Sequence, residues 1–135
     1  MLKLAIPALL LASMNTHAAS EVCETAGSIE DAIRCLQVEV RKADAAMTQY
    51  LDASRKRHAA DKLKSALIES SQTAWLDSRG AQCPIVNILP RDQAKHAAEG
   101  LYCRWRITRE RTHQLWAGFL TYPDGRQPDL PEPMH

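Results

Sequence analysis

The chain has 135 residues, 45% of them hydrophobic and 24% charged, with a formal net charge of +1 at pH 7. That balance excludes a disordered polyelectrolyte and leaves no long-range field to draw the molecule onto nucleic acid or an anionic membrane. The length suits one domain with a single core.

The first residues carry one cation, Lys3, then the apolar stretch Leu4 to Ala12, then polar residues leading to Thr16-His17-Ala18-Ala19. This is the three-part layout of a secretory signal, and cleavage after Ala18 puts small or short side chains, Thr16 and Ala18, at the minus-three and minus-one positions. The apolar run contains Pro7 and stops at Ser13, short of the roughly 20 residues a membrane span needs. Cys23 follows Ser20-Glu21-Val22, without the leucine and small residues that precede a lipid-modified cysteine. The expectation is a signal peptide over 1–18 and a periplasmic or secreted product from residue 19, with no membrane anchor. Losing Lys3 leaves 16 basic and 16 acidic side chains.

From Ser28, an N-cap with Asp31 in the first turn, the apolar positions Ile29, Ile33, Leu36, Val40, Ala43, Met47 and Tyr50 recur at spacings of four and three, which predicts a long amphipathic helix. Ser54, the next position, ends the apolar seam, and Arg55-Lys56-Arg57-His58 marks the helix end or a bend. Glu30 with Arg34 and Asp52 with Lys56 are expected to pair at i,i+4. A second helix is predicted over Asp61 to Arg79 with Leu63, Leu67, Ser70 and Ala74 as its seam, Gly80 as its C-cap and Pro84 barring continuation.

Residues 84–90, Pro-Ile-Val-Asn-Ile-Leu-Pro, read as a loop, because a lone strand has nothing to pair with. Ile85, Val86, Ile88 and Leu89 are more apolar than a free loop needs, and with Arg91 and Asp92 they form the candidate partner-binding loop; self-burial on the bundle end is the competing reading. A third helix is predicted from Asp92 to about Gly118–Tyr122, with Ala98, Leu101, Trp105, Thr108, Thr112, Leu115 and Phe119 inward. The tail from Pro123 has four prolines and few apolar side chains, and is expected to be mobile. The fold class is therefore all-α: a small bundle of three main helices over 19–122, with a Pro-rich tail over 123–135.

Four cysteines in an exported chain read as two disulfides. Of three possible pairings, sequence separation favours Cys23 with Cys35 and Cys83 with Cys103. Zinc sites use closer spacings than these eleven and nineteen intervening residues, redox pairs use Cys-x-x-Cys, and no cofactor is implied. Glu30-Asp31 is the nearest approach to paired carboxylates, but adjacent helical positions point apart and the pair reads as a cap signal. His58, His96, His113 and His135 follow no ligand spacing, and there is neither a Gly-x-Ser-x-Gly nor a phosphate-binding glycine loop, so no catalysis is expected.

Gln72, Trp75 and Arg79 fall at i, i+3 and i+7 and share a helix face. They read either as an exposed binding patch or, the preferred reading, as structure: Trp75 in the core, Arg79 stacked on it or paired with Asp44, Gln72 bonded to neighbouring backbone. Arg104, Arg106, Arg109 and Arg111 around Trp105 spread over the helix circumference, which favours a solvated face with one structural ion pair over a nucleic-acid site.

These residues also carry a resemblance. Gln72-x2-Trp75-x3-Arg79-x3-Cys83, then Cys103-x4-Thr108-x2-Arg111-x3-Leu115, with Cys35 and Ala43-Asp44 upstream, resemble the lysozyme-inhibitor LprI-like family of small, exported, helical bacterial proteins. The resemblance runs from about Cys23 to Leu115 and excludes the tail; Met47-Thr48 stand where the family has Leu-Asn, and Ser78-Arg79-Gly80 where it favours Tyr-Arg-Asp. It implies a protein that inhibits a lysozyme or related peptidoglycan hydrolase by occluding its substrate cleft, without chemistry of its own. A non-inhibitory envelope module that binds another protein or peptidoglycan is the alternative.

Overall fold

Ser28 opens α1 (Ile29–Arg57): its Oγ accepts the Asp31 backbone N–H at 3.1 Å, closing one of the four donors a helix start leaves free. The Ser28 hydroxyl and the neighbouring Arg34 guanidinium hold the Asp31 carboxyl below its ordinary range. Arg55, Lys56 and Arg57 complement the negative helix end, where the His58 N–H closes on the Ser54 carbonyl. The surface pairs differ from expectation: Arg34 pairs with Asp31 and Asp52 with Arg55, both at i,i+3. The seam does not fade at Ser54, which is fully buried with its hydroxyl donated to the Tyr50 carbonyl at 2.8 Å. Its small volume and local bond let a polar residue occupy a core position.

The structure, a computed structural model, describes residues 22–83 and 93–134. The expected signal peptide, 1–18, and the expected loop, 84–92, lie outside the described residues. α2 spans Lys62–Gln82, capped by Asp61, whose carboxylate accepts the Lys64 N–H at 3.0 Å. The helix runs through Gly80 to a cap at Cys83, so Pro84 stops it and the glycine does not. α3 spans Gln93–Leu115 and continues into a π-helical turn, Trp116–Leu120. That wider turn changes the register of the last inward position: Leu120 is fully buried, while Phe119 is only partly so.

Asp44 with Arg79, Met47 with Gln72 and Arg55 with Glu69 show that α2 descends as α1 ascends, and Arg79 with Thr108 and Gln72 with Arg111 set α3 antiparallel to α2. The bundle is thus up, down, up. α1 and α3 form the principal packed pair, and α2 touches each more lightly. Met47, Tyr50 and Leu51 of α1, Ile68 of α2, Leu115 of α3 and Leu120 of the π turn make one core cluster. Disulfides join Cys23 to Cys35 and Cys83 to Cys103, as sequence separation favoured. The first ties the segment before α1 to its second turn; the second ties the end of α2 to α3.

The expected seam of α2 is its wet face. Leu63 and Leu67 are 81% and 54% exposed, whereas Ile68 is 0% exposed and Gln72, Trp75 and Arg79 follow it inward. The buried stripe is mostly polar, so hydrophobicity alone pointed to the opposite side.

The tail is likewise not free. A turn from Tyr122 to Gly125, closed by the Gly125 N–H to the Tyr122 carbonyl at 3.1 Å, needs the left-handed backbone that glycine allows (φ 76°). The chain then doubles back along α3, with Leu130 packed against the core cluster. Its bonds run from bundle side chains to tail carbonyls, which is why apolar composition underestimated its order.

Two tests follow from this packing. Ile68→Ala should destabilise the oxidised protein by about 2–5 kcal/mol in denaturant unfolding, and Leu67→Gln on the opposite face by no more than about 0.5 kcal/mol. Arg55 bridges α1 to Glu69 of α2 at 2.7 Å, and that hydrogen bond holds the Glu69 carboxyl below its ordinary 4.5. A depressed carboxyl contributes stability above its unfolded pKa and loses it as pH falls through the folded value. The stability deficit of Glu69→Gln should therefore be complete at pH 7 and vanish well below pH 4.5 in parallel thermal melts.

Candidate functional site

The residues that the sequence singled out meet where the three helices face one another. Arg79 of α2 donates from Nη1 to Asp44 Oδ1 of α1 at 2.6 Å and to Thr108 Oγ1 of α3 at 3.1 Å, and its guanidinium lies 4.7 Å from the centre of the Trp75 ring. One planar cation thereby touches three helices, a geometry that the compact ammonium of lysine does not reproduce. Thr108 is fully buried, and Thr112 one turn on donates its hydroxyl to the Thr108 carbonyl at 2.9 Å.

A turn away, Arg111 of α3 donates through Nε to Gln72 Oε1 at 3.1 Å and through Nη2 to Ser71 Oγ at 2.9 Å. The Gln72 amide completes the relay by donating to Met47 Sδ at 3.4 Å. Burial pushes the Arg111 guanidinium below its ordinary pKa, yet not out of its charged form, since arginine stays protonated in proteins. The bonds shown for this buried arginine go to an amide and a hydroxyl, and Gln72 bonds side chains where neighbouring backbone was expected. Leu115, the last residue of the second motif, is fully buried in the adjoining core.

The rest of the arginine run is dispersed. Arg106 faces Glu110 at 3.9 Å, and Arg109 stacks 4.6 Å from the Trp105 ring centre. Ile85, Val86, Ile88, Leu89, Arg91 and Asp92 lie outside the described residues; the Cys83–Cys103 bridge, with Cα atoms 5.6 Å apart, joins the residue just before their segment to a position ten residues beyond Gln93, the first residue of α3. Sequence reasoning missed the tail-binding side chains Tyr50, Arg109 and Trp116. The available signal was Leu130, the one large aliphatic side chain before Met134 in an otherwise polar, proline-rich tail.

Among the described residues no group of three or more His, Cys, Asp or Glu side chains could hold a metal ion, and no helix is long and apolar enough to cross a membrane. What the converging polar groups do is hold three helices at fixed spacing. The molecule is thus a disulfide-stapled α-helical module whose polar motif is internal. The family model described as lysozyme inhibitor LprI matches residues 21–115, more than two thirds of the chain, and the chain belongs to this family. No curated protein and no solved structure matches it.

Asp44 is 42% exposed and Arg79 19%, so screening moderates their ion pair. Arg79→Met should cost about 1–3 kcal/mol, Asp44→Asn less, and the double-mutant cycle should return a coupling of about 0.5–2 kcal/mol. A coupling of zero would assign the effect to the other contacts of Arg79, its stacking on Trp75 and its bond to Thr108.

Proposed function

We propose that this protein is exported to the periplasm or cell exterior and inhibits a lysozyme-like muramidase by blocking its substrate cleft, with no chemistry of its own. The observation that carries the reading is the match to the lysozyme inhibitor family across both cysteine pairs and the whole three-helix polar node. Because the motif side chains are committed to one another inside the bundle, we assign them a structural role and place the contact on the loop 84–92. The Cys83–Cys103 bridge closes the stretch that contains this segment, which lowers the entropy lost on docking. In this reading Ile85, Val86, Ile88 and Leu89 fill the cleft and Arg91 or Asp92 approaches the enzyme's catalytic carboxylates.

The test is hydrolysis of peptidoglycan by several lysozyme types with an excess of oxidised residues 19–135, and with the reduced protein as control. Dose-dependent inhibition that disappears on reduction, and that Arg91→Glu weakens without changing helicity, is the expected outcome. Full turnover by every lysozyme type would overturn the reading. Retention on purified peptidoglycan without inhibition would favour the envelope-binding module instead.

A further inference from the structure

The residues beyond 115 fall outside the family match. After the Tyr122–Gly125 turn the tail runs antiparallel to α3, and the side chains that hold it follow one another down the helix. Trp116 Nε1 donates to the Leu130 carbonyl at 3.1 Å, His113 Nε2 lies 3.0 Å from Glu132 Oε1, and Arg109 Nη2 donates to the Met134 carbonyl at 3.0 Å. From α1, Tyr50 Oη donates to the Pro131 carbonyl at 2.7 Å.

Three of these four contacts reach main-chain carbonyls, from an indole, a phenol and a guanidinium. The segment Leu130-Pro131-Glu132-Pro133-Met134 complements such a row of donors. Its prolines have no N–H to strand against a surface of donors, and they hold the chain extended at little entropic cost. Carbonyl-directed bonds from aromatic side chains to an extended proline-containing strand are the physics by which proline-rich segments are recognised between proteins. The groove is also wider than the tail that fills it: a cavity of about 530 Å³ beside Met134 is bordered by Glu39, Lys42, Gln49, Trp105 and Arg109.

We propose that the α1/α3 face is a docking groove for an extended, proline-containing segment of a partner protein, and that the chain's own tail is its resident competitor. The tether gives the tail an effective concentration in the millimolar range, so a partner binds only in proportion to the fraction of molecules with the tail released. A partner segment gains over the tail by placing a larger side chain in the cavity next to Met134. This docking does not depend on lysozyme inhibition.

The test uses the full mature chain and a fluorescent, amidated peptide of residues 128–134, read by anisotropy. Leu130→Asp removes the apolar anchor of the tail without altering the groove, and should tighten peptide binding by about tenfold or more relative to the unaltered protein. Adding Tyr50→Phe and Trp116→Phe should reverse that gain while circular dichroism keeps its helical signal. In the unaltered protein, millimolar unlabelled peptide should move the amide resonances of Leu130, Glu132 and Met134 to random-coil positions. The proposal is overturned if Leu130→Asp, folded by circular dichroism, binds the peptide no tighter than the unaltered protein. It is equally overturned if the tail resonances stay in place at saturating peptide.

Discussion

The guanidinium of Arg79 is the joint on which the three-helix arrangement depends. α2 offers the core a single fully buried aliphatic side chain, Ile68, worth about 1.5–3 kcal/mol of burial, too little to dock a helix of 21 residues. The balance comes from directional and covalent contacts: Arg79 to Asp44 and Thr108, Gln72 to Arg111 and Met47, and Cys83 to Cys103. A bridge closing a loop of this size contributes about 2–4 kcal/mol. Apolar surfaces tolerate sliding, whereas a planar cation bonded to two helices and stacked on its own tryptophan fixes register. The motif Gln72, Trp75, Arg79, Cys83 is thus the docking edge of α2 written in sequence.

That explains which features were legible before the structure. α1 and α3 carry apolar seams dense enough to show their inward faces, and four cysteines in short-loop pairs revealed the staples. α2 was misread by face because periodicity weighs hydrophobicity, and its hydrophobic residues Leu63 and Leu67 look outward while polar ones look in. The correct face was nonetheless visible in another form, since Gln72, Trp75 and Arg79 share one stripe. Ser54 was misread for the same reason: its hydroxyl is satisfied by Tyr50 one turn back, so it buries like an alanine.

The tail and the π turn were illegible for a different reason. A disorder estimate from composition counts the apolar area a segment can bury and omits hydrogen bonds that the folded body directs at its carbonyls. Proline enrichment, taken as a sign of mobility, lowers the entropy that those few bonds must offset. The π turn adds a residue in the last turn of α3, and sequence spacing has no marker for where a helix will widen. Its effect is local: Leu120 enters the core, and Trp116 directs its indole at Leu130.

In the function proposed above, a protein that occupies another's cleft gains from rigidity in the elements that frame its contact and not from reactive groups. The internal placement of the polar node fits that demand, because side chains committed to holding helices are not available to a partner, and the surface is left to segments between them. Two such segments stand out: residues 84–92, which fall within the stretch closed by the Cys83–Cys103 bridge, and the tail, whose carbonyls accept from Tyr50 and Trp116. They differ in how they are held. A disulfide is a covalent constraint on the stretch it closes, while the tail is held by non-covalent contacts: hydrogen bonds from Tyr50, Arg109 and Trp116 and the packing of Leu130. In the two proposals made above, the same helical frame thus carries a covalently constrained segment for one partner and, for another, a groove whose access depends on the tail.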